Sequence, residues 1–191
     1  MHADVEIPAI QNGAGIQFSS YEVYDDDKIY HRVMYNLNDE SAFNSWTPEF
    51  HDLDQWVQIG AAELKKWMKI IIQGKHSLDQ WVSKLYIESS LDGKTFTQEG
   101  SEHTGNTDQS TQVTIEIDGS TGVIGRAIRV CPSEWNVKIS MRIEAYYKEL
   151  SSSEIAAIDM SIEVAAIDSG AIVQTSSYYY SGLDTMGYNV G

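Results

Sequence analysis

Residues 112–117 read Gln112-Val113-Thr114-Ile115-Glu116-Ile117, and this hexapeptide indicates the fold class most clearly. Successive side chains of a β-strand point to opposite faces of the sheet, so the three aliphatic side chains share one face and the three polar side chains share the other. The sequence therefore predicts a half-buried strand here, with its aliphatic face turned toward a core.

The same alternation recurs along residues 139–145, where Ile, Met, Ile and Ala alternate with Ser, Arg and Glu. A slip of one residue would turn this apolar face to solvent, so the register of the strand is well specified. Upstream, Asp92-Gly93 separates the β-rich runs 85–89 and 95–97. Asp-Gly readily takes the positive φ angles of a tight turn, which predicts a β-hairpin.

Two further strands are predicted at residues 56–59 and 67–72, joined by a connection at residues 60–64. Helix-period patterns are scarce over residues 16–147. Short β-rich runs bounded by turn residues, about seven or eight in number, favour an antiparallel β-sandwich.

Composition limits the classes of partner. The chain has 191 residues, long enough for one domain of about 150 residues plus extensions. Its formal net charge of −15 repels phosphate backbones and anionic headgroups, so we expect no nucleic-acid partner. No stretch approaches the roughly 20 apolar residues of a membrane helix, so we expect a soluble protein without a transmembrane segment.

Processing signals are scarce as well. The N-terminus has neither the basic start nor the apolar stretch of a signal peptide. Cys131 is the single cysteine and there is no Asn-x-Ser/Thr sequon, so we expect no intrachain disulfide and interpret Cys131 as a small buried hydrophobe. These features favour a cytoplasmic protein or one secreted by an unconventional route.

The composition changes after Leu150. Residues 151–191 contain five acidic residues and no Lys or Arg, with much Ser, Ala, Gly and Tyr. This segment fits a flexible extension, a pair of added strands, a short helix, or a peptide that orders against a neighbouring subunit. Because tyrosine rings gain from contact, we predict that it is an assembly element that forms homo- or hetero-oligomers.

Several segments, taken in order, carry a resemblance to a known family. They are residues 44–46 with 54–59, residues 72–75 and 79–83 leading into 89–93, residues 105–108, residues 126–132, and residues 134–136 with 139–144. Their joint order and spacing across residues 16–148 resemble the discoidin or coagulation-factor type C domain family, and most closely the slime-mould discoidins.

The resemblance implies an all-β fold. It is an eight-stranded antiparallel jelly-roll β-sandwich of the galactose-binding-like type, whose ligand is bound by loops at one end. We accordingly assign residues 1–15 to an N-terminal segment, residues 16–150 to the sandwich, and residues 151–191 to a short C-terminal extension.

The signature residues of this resemblance are predicted to be structural. Trp56, Trp81 and Trp135 are expected to be packing anchors, because large aromatic side chains are usually buried. Arg142 and Glu144 share one face of the last strand, and we expect an ion pair or backbone hydrogen bonds from them to hold that strand in place.

The resemblance places ligand-binding loops at about residues 20–31, 37–46 and 74–80. The first contains Asp25, Asp26 and Asp27, where membrane-inserting relatives display apolar and basic residues, so direct membrane insertion is not expected. These carboxylates are weak candidates for a Ca²⁺ site, and the alternative is a solvated acidic patch. Because no spaced calcium loop is present, we expect no metal and no cofactor.

The third loop is the better candidate for sugar binding, since slime-mould discoidins carry an Arg-bearing loop here that contacts sugar. Lys75 replaces that Arg, and an ammonium lacks the planar fork of a guanidinium, so a different specificity is expected. Sugar recognition combines polar groups with an aromatic face. The candidate ligand-binding residues are Asn36, Asp39, Trp46, Lys75, His76 and Asp79. The alternative is that Trp46 packs into the sandwich and the others are ordinary loop residues.

Catalysis is not expected. The chain has no His-x-x-x-His spacing, no Gly-x-Ser-x-Gly turn and no phosphate-binding Gly-rich loop. Two functions stay open. The first is a lectin-like module that binds carbohydrate and acts in adhesion by multivalency. The second is a protein-protein adaptor or structural subunit of a larger intracellular assembly, with no sugar ligand.

Overall fold

A computed structural model describes residues 5–22, 45–76 and 78–158 of the chain. The pattern of backbone contacts divides the chain between Leu150 and Ser151 into two units. The first unit is built from antiparallel strands, and the described part of the second is helical.

Eight strands make up the first unit. They are β1 (Ile7–Pro8), β2 (Gly15–Phe18), β3 (Val57–Gln73), β4 (Trp81–Ser90), β5 (Thr97–Thr104), β6 (Val113–Glu116), β7 (Val123–Asn136) and β8 (Arg142–Lys148). All of their pairings are antiparallel. A 3₁₀ turn at Ile117–Ser120 follows β6. The predicted all-β, eight-stranded jelly roll is confirmed.

Strand β3 takes part in two layers. Its first residues, Val57–Gly60, pair with β2 on one side and β7 on the other. Its last residues, Lys69–Ile72, pair with β6 and β8. The register against β7 shifts between Gly60 and Lys65, and such irregularities let one strand pass between the sheets of a sandwich. The prediction of two separate strands here was wrong, because the backbone stays extended through the irregular segment.

The core lies between these layers and is predominantly aliphatic. Fully buried side chains include Ile59, Ile70 and Ile128, together with the ring of Trp67. Burying one such side chain contributes about 1.5–3 kcal/mol. The alternation that predicted β6 is confirmed, since Ile115 is buried and Glu116 is exposed.

The predicted hairpin is also confirmed. Strands β4 and β5 pair from Lys84 opposite Thr104 to Ser89 opposite Thr97. In the turn between them Gly93 has a φ of 75°, a conformation that suits glycine. The Asp92 carboxylate accepts hydrogen bonds from the backbone N–H groups that follow it, which closes the turn.

The N-terminal segment belongs to the sandwich. Strand β1 pairs with β8, so that Ile7 lies opposite Tyr147, and β2 begins at Gly15. The strands therefore start well before residue 16, where the sequence placed the start of the sandwich. The short first strand was not recognised because Pro8 and the turn after it interrupt any periodic pattern.

Arg142 and Glu144 hold β8 through backbone hydrogen bonds, one of the two arrangements expected for them. The Arg142 Nε donates to the Gly74 carbonyl at 2.8 Å. Glu144 Oε1 accepts from the Ile10 N–H at 2.8 Å. Both side chains are buried, so these bonds are shielded from competing water.

Most of the aromatic anchors were assigned correctly to packing. Trp135 is half-buried and packs against the hydrophobic core. Trp81 is half-buried at the start of β4. Trp56 is also half-buried, and its ring packs on the guanidinium of Arg129. These three side chains therefore support the sandwich from different sides.

The second unit begins with a helix over residues 152–158. Ser151 and Glu154 form a reciprocal cap: the Ser151 Oγ accepts from the Glu154 N–H, and the Glu154 carboxylate accepts from the Ser151 N–H at 2.9 Å. The tyrosines of the extension lie outside the described residues. In the part of the chain that is described, no helix has the length and apolar character to cross a bilayer.

Candidate ligand-binding end of the sandwich

The described parts of the predicted loops lie at one end of the sandwich. Trp46 and Met141 exchange two backbone hydrogen bonds, of 2.9 and 3.0 Å. The Lys75 Nζ lies 3.5 Å from the Thr47 Oγ1. The third loop therefore meets the end of the second, as a shared ligand site requires.

Trp46 is not available as a platform for a sugar ring. Only 3% of its surface is exposed, and its ring stacks on Phe18 with centroids 6.3 Å apart. Its indole N–H donates to the Ser20 carbonyl at 2.9 Å. The ring therefore packs into the sandwich, which was the alternative interpretation, and the expectation that it contacts ligand is corrected.

Lys75 lies beneath the loop surface rather than on it. The residue is 8% exposed, and burial lowers the pKa of its ammonium, an effect opposed by the nearby Glu22 carboxylate and reinforced by Lys138. Its Nζ is directed toward Thr47. An ammonium in this position supports the loop and does not extend toward solvent.

The remaining described candidates are more accessible. His76 is half-buried and Asp79 is exposed. The backbone carbonyl of Asp79 accepts a hydrogen bond of 2.7 Å from the Asn136 side chain, which fixes the loop while leaving the carboxylate at the surface. Asn36 and Asp39 lie outside the described residues.

Three polar residues at this end were missed by the sequence analysis. The Lys138 Nζ lies 2.8 Å from the Glu22 carboxylate. His51 Nδ1 accepts from the Ile139 N–H at 3.3 Å, and burial, followed by the charge of Lys138, lowers the pKa of His51. His51 therefore acts as a neutral acceptor at neutral pH. No sequence signal joins residues so far apart in the chain.

Four large apolar side chains are also exposed on these loops. Their exposed fractions are 55% for Phe50, 70% for Leu53, 44% for Leu78 and 70% for Val137. Leu78 and Val137 are chain neighbours of the Asp79 and Asn136 pair that joins the two loops. The end of the sandwich thus combines polar groups with exposed apolar ones, which the sequence alone did not indicate.

The described residues offer no cluster of His, Cys, Asp or Glu able to hold a metal ion. Asp25, Asp26 and Asp27, the candidates for Ca²⁺, lie outside the described residues. Those three carboxylates therefore stay a sequence prediction.

Comparison with known proteins identifies the family. A model of the F5/8 type C domain matches residues 16–145. The chain belongs to the F5/8 type C domain family. This F5/8 type C domain is 30% identical to one of the discoidin-1 polypeptides of Dictyostelium discoideum over 144 residues, which cover 74% of the chain and 53% of that relative.

A second similar protein comes from an animal. Retinoschisin of Mus musculus is 30% identical over 115 residues, which cover 56% of the chain and 50% of that relative. The chain spans about half the length of the curated relatives it matches. The resemblance to the discoidin or type C family is confirmed.

Solved structures show the same architecture. Recombinant discoidin II of Dictyostelium discoideum superposes with a TM-score of 0.63 at 25% identity, covering 78% of this chain and 61% of that one. The family 32 carbohydrate-binding module of Clostridium perfringens NanJ, solved in complex with galactose, gives a TM-score of 0.58 at 16% identity, covering 74% of this chain and 99% of that one. The second likeness shows the fold alone.

Proposed function

We propose that this F5/8 type C domain is a non-catalytic carbohydrate-binding module that binds glycans at its loop end and acts in adhesion by multivalency. Membership of the family over residues 16–145 carries the proposal. It is supported by a module of the same fold in complex with galactose and another in complex with GalNAc-β-1,3-galactose.

The exposed part of the third loop supplies the polar contacts. The Asp79 carboxylate offers acceptors and the His76 ring offers a donor or an acceptor. Lys75 and Trp46 hold the loops from below, through Thr47 and Ser20 respectively. Asn36 and Asp39, on the preceding loop, complete the proposed contact set.

Multivalency comes from assembly through residues 151–191. A single open site of this kind binds weakly, and linking sites raises the apparent affinity by about 10²–10⁴. We expect the particle mass measured by light scattering to fall when residues 151–191 are deleted. Equal masses with and without the extension would contradict this role.

A glycan array tests the sugar proposal directly. The full chain, displayed at multivalent density, is expected to bind galactose-type sugars above background. Asp79→Ala and His76→Ala should lower that signal, because each removes an exposed polar group from the loop. Glu116→Ala, which removes an exposed carboxylate from β6, is the matched control. Binding that is absent, or unchanged in both loop variants, would contradict the proposal.

The exposed apolar side chains favour a second function, that of a protein-protein adaptor. Phe50 and Leu53 stand beside the acidic residues Glu49, Asp52 and Asp54. This chemistry fits a partner surface that is both apolar and basic. Phe50→Ser and Leu53→Ser would then abolish partner binding, whereas Leu91→Ser, an equally exposed change in the β4–β5 turn, would not. In the sugar-binding case all three variants leave glycan binding intact.

A further inference from the structure

A cleft of about 640 Å³ lies on the outer face of the layer that contains β2, β3 and β7. Gln58 faces this side, because its neighbours Val57 and Ile59 both point into the core. None of the residues that line the cleft belongs to the three ligand-binding loops. The volume falls within the range of small-molecule sites, roughly 300–1,000 Å³.

The floor of the cleft is nearly bare backbone. Gly15 of β2 lies opposite Gly60 of β3, and Gly60 lies opposite Ala127 of β7. These three residues form one cross-strand row, so their missing or minimal side chains open the same part of the surface. A ligand on this floor could approach the sheet closely.

Packing does not require glycine at these two positions. A Cβ placed on Gly15 would have its nearest neighbour at 3.8 Å, and one on Gly60 at 3.5 Å. Neither residue has a positive φ. Gly105 differs, since its Cβ would come within 2.5 Å of the Val82 carbonyl. Glycine in a strand interior weakens the strand and often marks a place where a ligand comes close to the backbone.

A buried donor is directed toward this floor. Gln58 lines the cleft, is 7% exposed, and its Oε1 accepts a hydrogen bond of 3.1 Å from the Arg129 Nε. A guanidinium only donates, so this bond fixes which amide atom is the oxygen. The Gln58 Nε2 is left without a partner in the described part of the chain. Such a group is costly to bury unless something accepts its hydrogen bond.

The orientation of this amide is fixed by packing behind it. The guanidinium of Arg129 lies between two aromatic rings, 4.0 Å from the Trp56 centroid and 3.7 Å from the Phe96 centroid. Stacking on both faces restricts the guanidinium. Gln58 is therefore held in place before any ligand arrives.

The charged groups around the cleft already have partners inside the protein. The Lys65 ammonium lies 2.8 Å from the Glu149 carboxylate. Arg126 donates to the Ala62 carbonyl. Asp92 accepts hydrogen bonds from its own turn. An ionic ligand would compete with these contacts, whereas a neutral ligand can use the amide of Gln58 without disturbing them.

We propose that this cleft is a second binding site that takes a neutral sugar ring. The ring lies on the Gly15–Gly60–Ala127 floor, and one of its hydroxyls accepts a hydrogen bond from the Gln58 Nε2. This site is separate from the loop end and does not depend on the function proposed for it. A chain with both sites binds two sugar units on different faces.

Two substitutions isolate the site. Gln58→Glu keeps the oxygen that faces Arg129 and removes the Nε2 donor. Gly60→Ala adds a methyl group to the floor where the structure leaves ordinary contact distances. We expect either change to weaken binding at least about tenfold while the urea midpoint stays at the wild-type value, since about 1.4 kcal/mol from one hydrogen bond corresponds to a factor of ten. Asp79→Ala is the control and should leave the cleft unaffected.

The measurement is a titration of the ¹⁵N-labelled full chain with galactose, N-acetylgalactosamine, glucose and mannose, each followed by NMR. For at least one sugar, the backbone amides of Gly15, Gly60 and Gly93 should shift and saturate. The proposal is overturned if no sugar shifts them, or if their titration is unchanged in both variants. Shifts confined to residues 74–80 would overturn this site while supporting the loop site.

Discussion

The loop end and the N-terminal segment are held by neighbouring charged residues of β8 in opposite ways. At the loop end, Arg142 donates to the carbonyls of Gly74, at 2.8 Å, and Gln109, at 3.0 Å. At the N-terminal segment, Glu144 accepts from Ile10 and other backbone N–H groups. A guanidinium only donates and a carboxylate only accepts, so each region is matched to one sign of charge. Both side chains secure distant backbone and do not form a site.

The largest effect is expected for Glu144→Ala. This carboxylate is fully buried and accepts from the N–H groups of Ile10, Gln11 and Ala145. Its removal leaves buried donors unsatisfied, so we expect the free energy of unfolding to fall by about 3 kcal/mol or more. Urea unfolding followed by tryptophan fluorescence measures this. Glu116→Ala, at an exposed site, is the control and should change it by no more than about 0.5 kcal/mol.

Arg142→Lys should have a smaller effect, about 2 kcal/mol. The ammonium has no planar fork with which to reach the carbonyls of Gly74 and Gln109 together, so one of them loses its donor. The same unfolding experiment measures the change. A variant as stable as the wild type would mean that one contact suffices to hold the loop end.

Glu144→Gln tests the charge rather than the contact. Burial raises the pKa of Glu144 above its ordinary value of 4.5, although its backbone hydrogen bonds oppose the shift. The folded state then binds the proton more tightly than the unfolded state does. The stability contributed by this group is therefore complete below pH 4.5 and is lost as the pH rises through the folded pKa. The wild-type unfolding free energy should fall over that window relative to Glu144→Gln; parallel pH profiles would refute this.

The smallest effect concerns an exposed carboxylate in the loop that Arg142 holds. Hydrogen bonds from the Thr111 and Ser110 backbone lower the pKa of Asp108 from 3.8 to about 2. Asp108 therefore contributes stability above pH 3.8 that is lost as the pH falls toward 2. Asp108→Asn should lose this acid-side dependence and keep the alkaline side. Acid titration of the unfolding midpoint in both proteins checks the difference.

Strands with a clear period were predictable, and strands without one were not. The alternation at residues 112–117 and 139–145 located β6 and β8 closely, because one buried face imposes a period of two. The single strand β3 was divided in two, because Gly60, Ala61 and Ala62 carry no β-branched side chain to reveal it. Pairing with partners far along the chain holds this segment extended, and local sequence does not contain that information.

The candidate site was predicted as a location but not in detail. The third loop was placed correctly at one end of the sandwich, near the end of the second. The burial of Trp46 depends on Phe18 and Ser20, which lie more than twenty residues away along the chain. The row of Gly15, Gly60 and Ala127 was invisible because it exists only once the register of three strands is known.

Strand β3 is hydrogen-bonded into both layers along its length, to β2 and β7 at its start and to β6 and β8 at its end. Neither layer can open without breaking bonds of this shared strand, so the sandwich should melt as one unit. In deuterium exchange, the amides of Ile59 and Ile70 would then be replaced at the same slow rate, despite belonging to different sheets.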